Sequence, residues 1–382
     1  MPILTEEQQL IQATARQFAQ DRLLPGAEAR EAAARIEPEI ISEMGELGFL
    51  GMTVPDDLGG VGTDMVSYAL ALMEVASGDG AVSTMMSVHN SPFCAILDRF
   101  GSREQQERWL TPAAQGEFIG CFALTEPGAG TDAGGIRTRA VKTNAGYQLT
   151  GSKQFITSAS LGGSVVVFAV TDPEAGKKGI SAFIADQGTP GFEVAPPEKK
   201  LGQKASDTCA LSFDEFEVPA ENLIGEEGQG LPIALSSLET GRIGIAAQSV
   251  GMAQAALDVA AAYSLERKTF GRAIFDHQAV AFRLAEMDAQ IEAARQLVLN
   301  AARLKDEKMP CLREASIAKL MASELAEKVA SSAIQTLGGY GYLADCPVER
   351  IYRDLRVCQI YEGTSDVQRI NISRDLKSRY QA

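Results

Sequence analysis

The chain has 382 residues, of which 45% are hydrophobic and 22% charged, and 35 Lys+Arg against 50 Asp+Glu give a formal net charge of −15. That length allows about two or three domains and a large buried core. The negative charge argues against broad binding to nucleic acid or anionic lipid, because both are polyanions. Two histidines, His89 and His277, exclude a His-rich metal site, and no metal is expected. The six cysteines form no C-x-x-C pair and read as reduced thiols of a cytosolic protein. No membrane span is expected, since no run of about 18 apolar residues occurs. The start MPILTEEQQL has neither a basic signal-peptide opening nor an Arg/Ser-rich transit character. The expected location is cytoplasmic.

Up to about residue 118 the pattern is helical. Thr5 and Gln8 have capping-box spacing, and Leu10, Ile11, Thr14 and Phe18 follow on one face. Pro38 opens a second helix carrying Ile40, Ile41, Met44 and Leu47, and Gly48 stops it. Residues 64–77 and 80–100 are apolar helical stretches, and Ser102 and Gln105 repeat the capping-box spacing.

Near Phe118 the pattern changes to short β-rich runs at 119–124, 137–143, 147–150, 155–157, 165–170, 180–185 and 210–218. Turn signals such as Asn144-Ala145-Gly146 and Thr189-Pro190-Gly191 separate them, which suggests an antiparallel barrel or sandwich. After Gly230, helical periodicity returns over 232–265, 276–306 and 312–337, long enough for a bundle. The series Gly241, Gly244, Ala247 and Gly251 presents a smooth face for close helix approach. The expected fold is α+β in three parts: an N-terminal helical domain (1–118), a central β domain (119–230) and a C-terminal helical bundle (231–382).

Four segments carry chemistry. Gly128-Ala129-Gly130-Thr131-Asp132-Ala133 matches the dinucleotide fingerprint formally. However, no helix pattern follows it and no acidic residue stands about 20 positions on, so a loop is the reading. In 360–369, Ser365 and Gln368 have capping-box spacing, so a helix starts there and Glu362 lies in the connection before it. A carboxylate there can reach a substrate, and burial would raise its pKa. Glu266–Arg272 sets basic and aromatic groups between two long helices, either a solvated loop or a phosphate grip. Gln335–Tyr342 is a helix end stopped by glycines.

Taken in order, LTEPGAGTD (124–132), ERKTFGR (266–272), QTLGGYGY (335–342) and IYEGTSDVQR (360–369) resemble the acyl-CoA dehydrogenase family over essentially the whole chain. The resemblance implies N-terminal helices, a central antiparallel β-barrel and a C-terminal bundle, assembled as a homotetramer. It implies FAD as cofactor, an acyl-CoA substrate and an electron-transfer flavoprotein as partner. The implied reaction converts acyl-CoA to trans-2-enoyl-CoA. Glu362 would act as catalytic base while a hydride leaves the β-carbon for flavin N5. Phe122, Leu124, Thr125, Gly130 and Thr131 would neighbour the flavin, as would Phe155, Ile156 and Thr157. Thr364, Ser365 and Gln368 would complete that site. Arg267, Phe270, Gln278, Gln335, Gly338 and Gly339 would grip the adenine end of FAD from a neighbouring subunit. Thr131, Glu239, Arg242, Tyr361 and Gly363 would contact acyl-CoA.

Departures refine this. Phe155 stands where Trp is frequent and Thr131 where Ser is commoner. Gly241 occupies the place where members with another base carry Glu, and Ser83 the place where decarboxylating members carry Arg. The stretch GRIGIAAQ (241–248) is most similar to short-chain members. A short to medium, straight acyl chain is expected. Competing expectations are a branched short-chain dehydrogenase, an acyl-CoA oxidase, and a non-catalytic acyl-CoA or flavin-binding scaffold.

Overall fold

A computed structural model describes residues 4–381. The N-terminal part is helical. Thr5 caps the Glu6–Phe18 helix with a complete capping box to Gln8. The buried face of that helix is Gln8, Ala15 and Phe18, while Leu10 points to solvent. Gln8 takes an inward position because its amide also reaches Asp64 Oδ2 at 2.8 Å. Pro38 opens the Pro38–Glu46 helix as expected, and Gly48 turns the chain with φ +74°. Ser102 and Gln105 form the second capping box.

Between the apolar helices Met65–Gly78 and Gly80–Val88 stands Asp79, which caps the second by accepting from the amides of Ala81 and Val82. Its other oxygen meets the buried Arg30 guanidinium at 2.7 Å. Removing one partner of such a pair strands a buried charge, at a cost of about 3–5 kcal/mol. Asp79→Ala is therefore expected to lower the thermal midpoint by several degrees or more, measured by calorimetry, whereas a surface change such as Asp366→Ala leaves it unmoved.

The middle of the chain forms a sheet of eight strands: β1 (Cys121–Ala123), β2 (Arg139–Lys142), β3 (Gly146–Thr157), β4 (Ser164–Val170), β5 (Ile180–Asp186), β6 (Phe192–Val194), β7 (Thr208–Pro219) and β8 (Leu223–Ile224). Their order is β6-β7-β3-β2-β4-β5-β8, with β1 also on β4. The expected antiparallel barrel is corrected here. The sheet is mixed and not closed, because β1 and β2 both run parallel to β4. β5 pairs along the whole length of β4. Since a strand has two edges, β1 and β2 share the other one. The runs at 147–150 and 155–157 are one strand with two register irregularities. Gly151 lies in it where a Cβ would come 2.6 Å from Thr138 Oγ1. After Ser164, β4 is apolar because both faces are buried: Val166 and Phe168 in one cluster, Val165, Val167 and Ala169 in another.

Three long helices follow: Gly230–Glu266, Gln278–Asp306 and Leu312–Leu337. The first is long and apolar enough to cross a membrane, but 78% of its most apolar window is buried inside the protein, so it reads as a core helix. It packs Gly244 and Gly251 on the N-terminal helices, where a Cβ at Gly251 would lie 2.0 Å from Met73 O. One core cluster accordingly joins N-terminal and C-terminal helices. His89 is buried between the N-terminal helices and the sheet. Its Nδ1 accepts from Gly120 N at 2.9 Å and its Nε2 donates to Ala113 O at 3.0 Å. Burial pushes its pKa down to about 4, so it stays neutral and serves as a joint.

Candidate active site

The helix Pro347–Leu355 passes through a tight turn at Arg356–Gln359 into residues 360–364, and the Ser365–Gln381 helix begins directly after. Glu362 sits in this connection with φ +54°, a left-handed conformation unusual for a non-glycine residue. Such strain persists only where neighbours over-determine it. The Tyr361 hydroxyl donates to Gln248 Oε1 at 2.5 Å. Gln368 Nε2 donates to the carbonyls of Glu362 (3.1 Å) and Gly363 (2.8 Å), and Lys319 Nζ donates to Gly363 O at 2.8 Å. The expected Ser365–Gln368 capping box gives way to this arrangement, because the Gln368 amide is spent on the turn. Thr364 Oγ1 accepts from Val367 N instead. Ser365 Oγ and Gln368 Oε1 are left buried without a partner.

The Glu362 carboxyl lies against the Gly230–Glu266 helix at Gly241. A Cβ there would stand 2.5 Å from Glu362 Oε2 and 2.8 Å from its Cδ. Oε2 is shut off from solvent and has no hydrogen-bond partner. Burial raises the carboxyl pKa to about 7, against the pull of Arg242 and then Lys319. Arg242 is buried with Nε and Nη1 unpaired, and burial lowers its pKa. Glu239, on the same helix, pairs with Lys305 at 2.9 Å.

Behind Tyr361 a buried polar network runs through Gln248, Thr84 and Gln203. Gln248 Nε2 also donates to Ser83 Oγ at 2.8 Å, so Ser83 belongs to this network. A cleft of about 290 Å³ opens beside it, lined by Thr84, Thr157, Gln203, Thr208, Ile360 and Tyr361. Thr157 of β3 thus meets the Glu362 turn. Phe155 is 64% exposed with φ +61°, an aromatic face turned outward. Ile156 points the other way, into the sheet core, which leaves its backbone as the only part available.

The Gly-rich loop is anchored at its start. Lys153 is fully buried, pairs with Glu126 at 2.8 Å and donates to Leu124 O at 3.2 Å, while Thr125 O accepts from Gln154 N. Phe122 packs edge-on against Phe168 at 5.2 Å. Gly130 and Thr131 are exposed, and a Cβ at Gly130 would meet nothing within 4 Å.

The remaining predicted residues form a second group. Glu266–Arg272 is not a plain loop but ends in a small hairpin, β9 (Lys268–Thr269) with β10 (Arg272–Ala273). Arg267, Thr336, Gly338 and Gly339 line a cleft of about 520 Å³, the larger of the two. Neither Gly338 nor Gly339 has an atom within 4 Å of an added Cβ. Phe270 is 98% exposed at the hairpin tip, and Gln278 and Gln335 are exposed as well. Sequence reasoning passed over Lys319, Gln203 and the tie from Gln248 to Tyr361. The available signal was a lysine on an alanine-lined helical face, Ala315, Ala318, Ala322 and Ala326.

Three family models match the chain in succession. Residues 5–117 match the acyl-CoA dehydrogenase N-terminal domain, 121–216 the middle domain and 228–377 the C-terminal domain. A short-chain specific acyl-CoA dehydrogenase of Clostridium acetobutylicum is 44% identical over 97% of this chain and 98% of its own length. The butyryl-CoA dehydrogenase of Megasphaera elsdenii superposes with a TM-score of 0.96 at 42% identity, over 98% of this chain and 99% of that one. A chain in the structure reported for the electron transferring flavoprotein of Acidaminococcus fermentans superposes with a TM-score of 0.97 at 45% identity, over 98% and 99%.

Proposed function

Because the chain belongs to the acyl-CoA dehydrogenase family, we propose that it oxidises a straight short- to medium-chain acyl-CoA to the trans-2-enoyl-CoA with FAD, and that Glu362 is the base. The observation that carries the base assignment is the buried, unpartnered Glu362 Oε2 lying against a glycine that leaves it room. A carboxylate so placed, with its pKa raised to about 7, is matched to removing a proton from a weak carbon acid near neutral pH.

The residues present fit FAD. Gly338 and Gly339 with Arg267 form an open cradle suited to a nucleotide, Phe155 offers an exposed aromatic wall, and Ser365 Oγ and Gln368 Oε1 are polar atoms in want of partners. Leu124, Thr125, Gly130, Thr131, Phe122, Ile156 (through its backbone), Thr157 and Thr364 would hold the flavin. Phe270, Gln278 and Gln335 would hold the adenine end of a neighbour's FAD. When bound, FAD supplies the two-electron acceptor that takes the β-hydrogen as hydride.

The chain supplies the rest. Glu362 takes the α-proton on its carboxylate, and its backbone N–H would donate to the thioester oxygen as enolate charge develops there. Tyr361, Gly363 and Arg242 orient the acyl thioester around that carboxylate, which converts the proton transfer into a positioned, effectively unimolecular step. Thr131 and Glu239 would contact the rest of acyl-CoA. Gly241 keeps the place opposite the base free for Glu362 alone.

The pH dependence follows from the raised pKa. The base acts when ionised, so kcat/KM of the free enzyme is expected to fall tenfold per pH unit below about 7 and to level off above it. A profile flat from pH 5 to 8 would contradict the assignment. The reading as a whole is tested by purifying the protein, expected yellow with bound flavin, and assaying C4 to C16 acyl-CoAs together with isobutyryl-, 2-methylbutyryl- and isovaleryl-CoA. A short straight chain is expected to give the highest rate. A colourless protein that FAD cannot reconstitute would count against it.

An electron-transfer flavoprotein as acceptor and a homotetramer complete the proposal. The exposed Phe270, Tyr340 and Tyr342 beside the Arg267 cleft support a partner subunit there. All six cysteines are free thiols, which suits the reducing cytoplasm.

A further inference from the structure

We propose that Lys319 is a positioning residue for the base: its buried ammonium holds the Glu362–Gly363 turn through the Gly363 carbonyl and supplies a positive charge that keeps the Glu362 carboxyl ionised at working pH. This role rests on the dehydrogenase reading and on Glu362 as base.

Three observations converge on it. Lys319 is fully buried about two turns into the Leu312–Leu337 helix, in surroundings where a lysine is ordinarily found only if paired. Among the described residues no carboxylate lies within ion-pair distance of it, and its bond is to the Gly363 carbonyl at 2.8 Å. A buried ammonium without a counter-ion is costly, so its presence calls for something gained elsewhere. Gly363 follows the residue held at φ +54°, and its φ is +88°, so two successive left-handed residues form the turn that aims the carboxyl. Lys319 and Gln368 are the side chains that donate to this carbonyl.

Charged and titratable groups face the pair from every side. Glu362 faces Arg242 on the Gly230–Glu266 helix, Lys319 on the Leu312–Leu337 helix, and the Tyr68 hydroxyl on the Met65–Gly78 helix. Lys319 faces Glu362, Arg242, the Cys358 thiol and Glu324. Burial pushes the Lys319 pKa down to about 8, which still leaves it charged at neutral pH. The sign is then fixed. A neighbouring cation favours the ionised carboxylate, so removing it raises the pKa of the base and moves the acidic limb to higher pH.

The test uses the FAD-loaded enzyme and three variants. Lys319→Met loses charge and hydrogen bond, Lys319→Gln loses the charge but keeps an N–H, and Lys319→Arg keeps both. The readouts are the pH profile of kcat/KM and the exchange of the α-hydrogen of butyryl-CoA with D₂O, which follows proton transfer without net oxidation. For Met and Gln the acidic limb is expected to rise by about one pH unit or more, while Arg restores it. Met is expected to slow exchange at pH 7 by about 5-fold from a one-unit shift of the titration alone, and further by misplacement of the turn, with FAD content unchanged. Met and Gln variants with wild-type limbs and wild-type exchange, differing only in thermal midpoint, would overturn the role. If Met fails to fold, the Gln and Arg profiles decide alone. A wild-type enzyme that neither exchanges nor dehydrogenates any acyl-CoA would instead overturn the reading beneath.

Discussion

Glu362→Gln is expected to lower turnover of butyryl-CoA by about 10³-fold or more while FAD and acyl-CoA still bind. A positioned general base contributes about 10²–10⁴-fold, and among the described residues the charged groups acting on Glu362 are cations, Arg242 and Lys319, with no second carboxylate to take over. Glu239, the acidic residue nearest along the Gly230–Glu266 helix, is paired with Lys305. Glutamine keeps the size of the side chain, so the fit against Gly241 is preserved and only proton affinity is lost. Stopped-flow turnover and spectral titration with acyl-CoA separate the two effects. Weak binding with normal turnover at saturation would point to a role in holding substrate only.

The second large effect is expected at Gly241. Alanine there would place a methyl carbon 2.5 Å from Glu362 Oε2, closer than carbon and oxygen tolerate. The helix backbone is locked between the N-terminal helices and the bundle, so the carboxyl must yield. A shift of about 1 Å in a reacting group costs on the order of 10²-fold in rate. Gly241→Ala is therefore expected to fold with a thermal midpoint close to wild type, bind FAD, and turn over about 10²-fold more slowly. Single-turnover flavin reduction measures it. A wild-type rate would mean that the base acts from another position.

Local signals in the sequence were read correctly where one segment decides the outcome. The Thr5–Gln8 and Ser102–Gln105 boxes, Pro38, and the three long helices depend on spacing alone. Strand pairing depends on partners far along the chain, and there the sequence was less informative. Nothing in residues 121–123 announces that they run parallel beside β4 and share an edge with β2. The runs at 147–150 and 155–157 read as separate, whereas they are one strand in which the close approach of Thr138 requires glycine at 151.

The site divides the same way. Glu362 was singled out through the resemblance of 360–369 to the family motif, while its place in a connection before a helix start is a local pattern that the structure keeps. The Ser365–Gln368 spacing misled, since Gln368 is drawn to carbonyls that only the folded turn presents. Lys319 and Gln248 lie 43 and 114 residues before Glu362 in the numbering, and only packing brings them to the turn. The alanine-lined face around Lys319 marks it as inward-facing, but nothing in either helix says which turn its polar end meets.

Anaerobic mixing with butyryl-CoA tests the central claim most directly. The wild-type flavin band is expected to bleach rapidly as the enoyl product forms, while Glu362→Gln binds the same acyl-CoA and stays yellow over that time. Bleaching of the Glu362→Gln enzyme at the wild-type rate would contradict the account.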